Sequence, residues 1–177
     1  MNLMLFEHVS IPEGLKFTDF AIKNYQVTLE KHDIRCPGRY VCLLSGSEAN
    51  LKNLSTLIAQ KESLKFLDVK CLYHLEETIL SRTNESMEPE DGDDLLAVET
   101  KHLIDGYYVL DLLIKRTQIN QFSILSRLGL FGKGIILLSG KSNSIQMANA
   151  ILGEDEIAVL VKSAEIIPKS SLEKVML

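Results

Sequence analysis

The sequence repeats itself, and that limits the chain to folds built from two similar halves. When Leu3 is laid on Leu95, Glu7 falls on Glu99, Gly14 on Gly106, Asp19 on Asp111, Ile22 on Ile114, Lys23 on Lys115 and Gln26 on Gln118. After a two-residue insertion, Gly38 falls on Gly132, and Leu43-Leu44-Ser45-Gly46 falls on Leu137-Leu138-Ser139-Gly140. At the same register Leu72-Tyr73 meets Ile166-Ile167. Matches in constant order, with one small register change, point to a duplication. Between the copies runs TNESMEPEDGDD, residues 83–94, which is acidic, carries Pro89 and Gly92 and is almost free of apolar residues. That is the composition of a solvated connector. The expected organisation is a first domain over 1–82, a connector over 83–94 and a second domain over 95–177.

Each copy reads as strand, helix, strand, strand, helix, strand, which places the chain in the α+β class. In the first copy LMLFEH (3–8) is a short apolar strand. Ser10 can cap the helix that follows, Pro12 suits its first turn and Glu13 can reach back to the cap. Leu15, Thr18, Ile22 and Tyr25 recur at helical spacing, as do Tyr107, Leu110, Ile114 and Thr117 in the second copy. Val27 to Leu29 begins the next strand. A turn at Arg35-Cys36-Pro37-Gly38 leads into the apolar run Tyr40 to Leu44. Ser45-Gly46-Ser47 breaks that run and caps a second helix carrying Leu51, Leu54 and Ile58. A last strand covers Phe66 to Tyr73. The second copy closes with Ile157 to Val161 and Glu165 to Ile167, Pro168 ends the strand, and Ser170 to Glu173 caps a short terminal helix.

Composition narrows the function classes. The 177 residues are 46% hydrophobic and 24% charged, with a net charge of −5, which suits a globular chain with a real core. A net negative chain without clustered Lys and Arg is a poor partner for nucleic acid. No run long and apolar enough to span a membrane occurs, and Glu7 and Pro12 come too early for a secretory signal; a cytoplasmic location is expected. No GxGxxG, Walker A or GxSxG pattern is present, and LGLFGKG (128–134) lacks the Ser or Thr that completes a phosphate loop. The chain is expected not to be an enzyme. His8, His32, His74 and His102 have no metal-ligand spacing. Three cysteines without a CxxC rule against a disulfide framework. Cys42 and Cys71 lie in apolar runs and read as small buried hydrophobes, whereas Cys36 sits at the turn beside Pro37 and Gly38.

The motifs resemble a known family. DDLLAVETKHLIDGYYVLDLLIKRTQI is similar to the opening of bacterial microcompartment shell domains, with Glu99-Thr100-Lys101, then Gly106, then Asp111 to Lys115. GKGIILLSGKSNSIQMANAI resembles their third strand and second helix, and KSAEIIPKSS their final strand, with Pro168 in the usual place. The first copy keeps Glu7, Gly14, Asp19, Lys23 and LLSG. It departs at Val9, where Lys is usual, and at CLYHLEE, where Ile-Pro-Arg is usual; the second copy has Lys169 where Arg is common. The resemblance covers the chain apart from the connector. It implies two tandem shell domains, each a ferredoxin-like βαββαβ sandwich, assembling as a pseudohexameric homotrimer that meets other shell proteins in a microcompartment shell. It also implies pore-lining roles for Arg35, Cys36, Pro37 and Gly38 in the first copy and for Leu130, Phe131 and Gly132 in the second. Lys23 and Lys115 then lie at the assembly edge; without the resemblance they read as solvated helix lysines.

KHDIRCPGRYVCLLSG adds a finer likeness, to family members that hold a 4Fe–4S cluster at a threefold pore through one cysteine per chain. Cys36 occupies the matching position, and the second copy supplies no thiolate there. A cluster normally takes four thiolates from one chain, but a threefold axis turns one cysteine into three. Such a pore would pass electrons or clusters across the shell, with a redox enzyme as a further partner. The plainer reading of Cys36 is a free thiol in an exposed turn beside an open metabolite pore. Outside the family, a regulatory ligand-binding duplication of ferredoxin-like domains also fits the element order.

Overall fold

The computed structural model describes residues 1–36, 38–61, 66–125 and 132–171, apart from the side chain at position 67. The chain divides into two compact units, Met1–Glu76 and Glu77–Leu177.

In the first unit β1 (Leu3–His8), α1 (Ile11–Tyr25), β2 (Thr28–Arg35), β3 (Arg39–Ser45), α2 (Glu48–Gln60) and β4 (Phe66–Leu72) follow the expected order. Its four strands form one sheet in the order β2-β3-β1-β4, each neighbouring pair antiparallel. β1 lies inside the sheet and all six of its residues are buried, which is why Leu3 to Phe6 read as an unbroken apolar run rather than an alternating one. Both helices start at serine caps: Ser10 accepts from Glu13 N and Ser47 from Asn50 N. The helix-side core joins Met4, Phe6, Phe17, Ala21, Tyr40, Cys42, Leu44, Leu51 and Leu54. Phe6, Phe17 and Phe66 meet edge to face with centroids 4.8–5.5 Å apart, a preferred aromatic geometry.

The buried face of α1 differs from the one the spacing suggested. Gly14, Phe17, Thr18 and Ala21 are buried, while Leu15 and Ile22 stay exposed. The reason is a close approach. An added Cβ at Gly14 would stand 2.7 Å from Tyr40 Cγ, so the helix backbone rests on the Tyr40 ring and turns that side inward.

In the second unit a short helix α3 (Thr78–Ser81) precedes β5 (Asp94–Thr100), α4 (Leu103–Arg116), β6 (Gln121–Leu125), β7 (Gly134–Gly140), α5 (Ser142–Leu152), α6 (Asp155–Ala158) and β8 (Val161–Ile167). The sheet order, β6-β7-β5-β8, repeats that of the first unit strand for strand, and every pair is again antiparallel. Gly106 takes the place of Gly14: its missing side chain lets α4 approach Ile124, Thr100 and the Gly134 backbone. Ile157 is not in a strand as expected. The Ile157 and Ala158 amides bond to Glu154 O at 2.8 Å and wind the one-turn helix α6, so the last strand is the single run Val161–Ile167. The expected terminal helix lies almost wholly outside the described residues; Ser170 is buried and its amide donates to Asp93 O at 3.0 Å.

The second unit begins at Glu77, whereas the expected connector begins at 83. The acidic segment is packed, not solvated throughout. Asn84 N donates to Ile124 O at 2.8 Å, and Ser123 Oγ donates to Glu85 O at 2.7 Å. Met87 is buried in a cluster with Leu95, Leu125 and Leu137. The strand registers place those three leucines on the face opposite the one α4 meets through Ile124. The segment is thus a strap over the outer face of the sheet, anchored by one methionine and by backbone bonds that composition does not reveal.

Replacing Gly14 with Ala is expected to destabilise the first unit by about 1–3 kcal/mol, because the Tyr40 ring is fully buried and has nowhere to move. Urea denaturation would measure it, and a variant as stable as the parent would contradict the close approach.

Candidate pore hairpins and assembly edges

The candidate residues of the first unit gather at the hairpin between β2 and β3. Arg35 and Arg39 face each other across its base. Gly38 N donates to Arg35 O at 2.7 Å, and Gly38 adopts a left-handed φ of 83°, a conformation suited to glycine. Cys36 is exposed at the tip. Pro37 lies outside the described residues. The Arg35 side chain is largely buried and its Nη2 stands 2.6 Å from Asp33 Oδ2.

In the second unit the matching hairpin joins β6 to β7. Leu130 and Phe131 lie outside the described residues. Gly132 has φ 81°, so the two glycines that align in the sequence share one left-handed turn conformation. Gly132 O accepts from Leu103 N at 2.8 Å, which ties the hairpin to the first turn of α4 and satisfies one of that helix's free amides.

A further pair of residues belongs with these hairpins. Glu7, fully buried in β1, accepts from Arg39 Nη1 at 3.3 Å. In β5, Glu99 meets Lys133 at 2.5 Å and Lys162 at 3.0 Å. The Lys133 and Lys162 ammoniums hold the Glu99 carboxyl below its ordinary value. Each sheet therefore carries a glutamate on an inner strand, neutralised by a cation one residue after the turn glycine. The signal was present in the sequence: Glu7 aligns with Glu99 and Gly38 with Gly132, and each glycine is followed by a basic residue.

The three cysteines are not equivalent. Cys42 is fully buried and burial pushes its thiol up to about 11, while Thr18 and Tyr40 donate hydrogen bonds that oppose the shift. Cys71 is half-buried and its thiol is also raised, again by burial. Both favour the protonated, poorly ligating form. Cys36 alone is exposed. Among the described residues no group of three or more His, Cys, Asp and Glu side chains is arranged to hold a metal ion.

The lysines expected at an assembly edge sit alike in the two units. Lys23 Nζ lies 2.7 Å from Asp19 Oδ2 on α1 and Lys115 Nζ 2.6 Å from Asp111 Oδ2 on α4. Both are pairs one helical turn apart, and both lysines are substantially exposed. Of the histidines, His8 is buried at the end of β1 with Nδ1 2.9 Å from Ser10 N; His32 is exposed on β2 beside the Tyr40 ring. No helix among the described residues is long and apolar enough to cross a membrane.

Among solved structures, a microcompartments protein from Desulfitobacterium hafniense DCB superposes with a TM-score of 0.74 at 22% identity, covering 96% of this chain and 94% of that one. The likeness spans both units of this chain, and at this identity it establishes the fold. The small subunit of acetolactate synthase from Thermotoga maritima overlaps 98% of this chain and 94% of its own at 12% identity, with a TM-score of 0.32, too low to indicate a common architecture. No protein-family model and no curated protein matches the sequence.

The glutamate–cation pair makes a double-mutant prediction. Arg39→Ala leaves the buried Glu7 carboxylate without that guanidinium and is expected to cost on the order of 1–3 kcal/mol. Adding Glu7→Ala should cost less than the sum of the two single changes. Strict additivity in denaturation experiments would show that the pair is not coupled.

Proposed function

We propose that this chain is a structural building block of a bacterial microcompartment shell. The observation that carries the reading is the near-complete fold likeness to a microcompartment protein across both units. The duplicated hairpins and edge lysines support it. Three chains of two domains each would close a ring of six similar domains with the hairpins at its centre, and Lys23 and Lys115 would alternate at its rim. In solution the chain is expected to be a trimer that lays down flat sheets or closed shells at higher concentration. Lys115→Ala should keep the trimer and weaken the sheets. Mass measurement showing a stable monomer at micromolar concentration, or sheets of Lys115→Ala like those of the parent under electron microscopy, would count against the ring and the rim respectively.

Within that reading the pore of the first domain binds an iron–sulfur cluster, as the likeness of residues 31–46 to the pore segment of the propanediol-utilisation shell protein T suggests. One chain offers a single exposed thiol at the hairpin tip, so the fit depends on three copies of Cys36 meeting at one axis. Such a cluster would supply one-electron chemistry; the chain's part is to present the thiolate and to carry the flanking arginines. Protein purified without oxygen is expected to be brown and to contain iron and sulfide. Cys36→Ser should lose both while remaining trimeric, and Cys42→Ser should lose stability yet keep the iron. A colourless anaerobic protein, or full iron in Cys36→Ser, replaces the cluster with an open metabolite pore.

A further inference from the structure

A second site lies at the far end of β7 from the hairpin, where the strap, the sheet and the start of α5 surround an open cavity of about 320 Å³. Apart from Gly140, the residues that line it are polar or charged. Ser139 and Gln121 are cross-strand partners on β7 and β6, so their side chains stand on the same face of the sheet. Both border the cavity, and two of their atoms are anomalous. Ser139 is 2% exposed and its Oγ has no hydrogen-bond partner; Gln121 Oε1 is likewise buried without one. Buried polar atoms are normally satisfied, and two neighbouring exceptions beside a cavity mark a place that receives hydrogen bonds from something else.

The surrounding charges restrict what that is. Glu90 and Asp93, both from the strap, border the cavity with Lys141. Lys141 Nζ lies 2.7 Å from Asp93 Oδ1 and 4.0 Å from Glu90 Oε2. Two carboxylates against one engaged ammonium disfavour an anion, and the ammonium in the wall disfavours a second cation. Asn143 at the start of α5 uses its Oδ1 for the Ser144 amide, which turns its amide nitrogen toward donation. Donors on one side and unsatisfied acceptors on the other match hydroxyl groups, which do both. The bond from Gln121 Nε2 to Glu90 Oε1 is long, at 3.4 Å, so it yields easily to an entering group.

We propose that this cavity binds a small polyhydroxylated ligand, a polyol or sugar whose neighbouring hydroxyls donate to Ser139 Oγ and Gln121 Oε1 and accept from Asn143. All the residues that line the site belong to the second unit, whereas Cys36 belongs to the first.

The test is nuclear magnetic resonance of the full chain titrated with glycerol and glucose, with acetate and ethylammonium in parallel. Glycerol or glucose should shift the Gln121 and Asn143 side-chain amides saturably, and which of the two binds more tightly separates a polyol from a sugar site. Acetate and ethylammonium should not shift them. Ser139→Ala should weaken binding about three- to tenfold while leaving the fold intact, because it removes an atom that has no partner in the protein. Asn143→Ala, at an exposed position, should weaken it by a similar factor and serves if Ser139→Ala fails to fold. The proposal is overturned by the absence of a saturable shift with either hydroxylated probe, which would leave the cavity to water. It is equally overturned by stronger binding of acetate or ethylammonium, or by unchanged affinity in the variants.

Discussion

A carboxylate on an inner strand of a sheet needs a cation, and in both halves of this chain that cation comes from the hairpin. Glu7 is sealed within β1, and Arg39 reaches it from the first residue of β3. Glu99 meets Lys133 from the corresponding position after the turn, with Lys162 of β8 as a second partner. Taking the guanidinium from the buried Glu7 is expected to cost on the order of 1–3 kcal/mol, and that contact ties the first hairpin to its sheet. The left-handed glycine before each cation sets the turn from which it departs. The part of the fold proposed to face a pore is thereby fixed to the part that forms the core.

The two halves keep the same sheet order while filling their interiors differently. In the first, Thr18 Oγ1 donates to Gly14 O at 3.0 Å, meets the Tyr40 hydroxyl at 2.9 Å and lies 3.5 Å from Cys42 Sγ. The duplicate positions in the second are Leu110, Gly134 and Ile136. A polar triad with an aromatic ring has become an apolar contact of helix on glycine, and in both cases the helix reaches the sheet at a residue without a side chain. Duplication supplied the frame, and divergence left Cys36 in the first hairpin alone.

The acidic segment shows how a connector acquires a structural task. Glu85, Glu88, Glu90 and Asp91 are exposed while Asp93 and Asp94 are buried, and Met87 and a few backbone groups close the outer face of the second sheet. Its last residues, Glu90 and Asp93, then become the rim of the polar cavity.

Much of the architecture was legible in the amino-acid sequence. The duplication, the strand–helix–strand–strand–helix–strand order, the serine caps at Ser10 and Ser47 and the breaks at Gly46 and Pro168 are local or periodic signals, and local chemistry decides them. The exposed turn at Cys36 and the buried setting of Cys42 follow from the same kind of signal. Three features were decided only by tertiary structure. The buried face of α1 depends on how closely Gly14 can approach Tyr40, a contact between distant residues that no helical period contains. The strap depends on one methionine and on backbone hydrogen bonds, to which composition is blind. The polar cavity depends on Gln121 and Ser139 becoming cross-strand neighbours, and that register exists only once the sheet has formed.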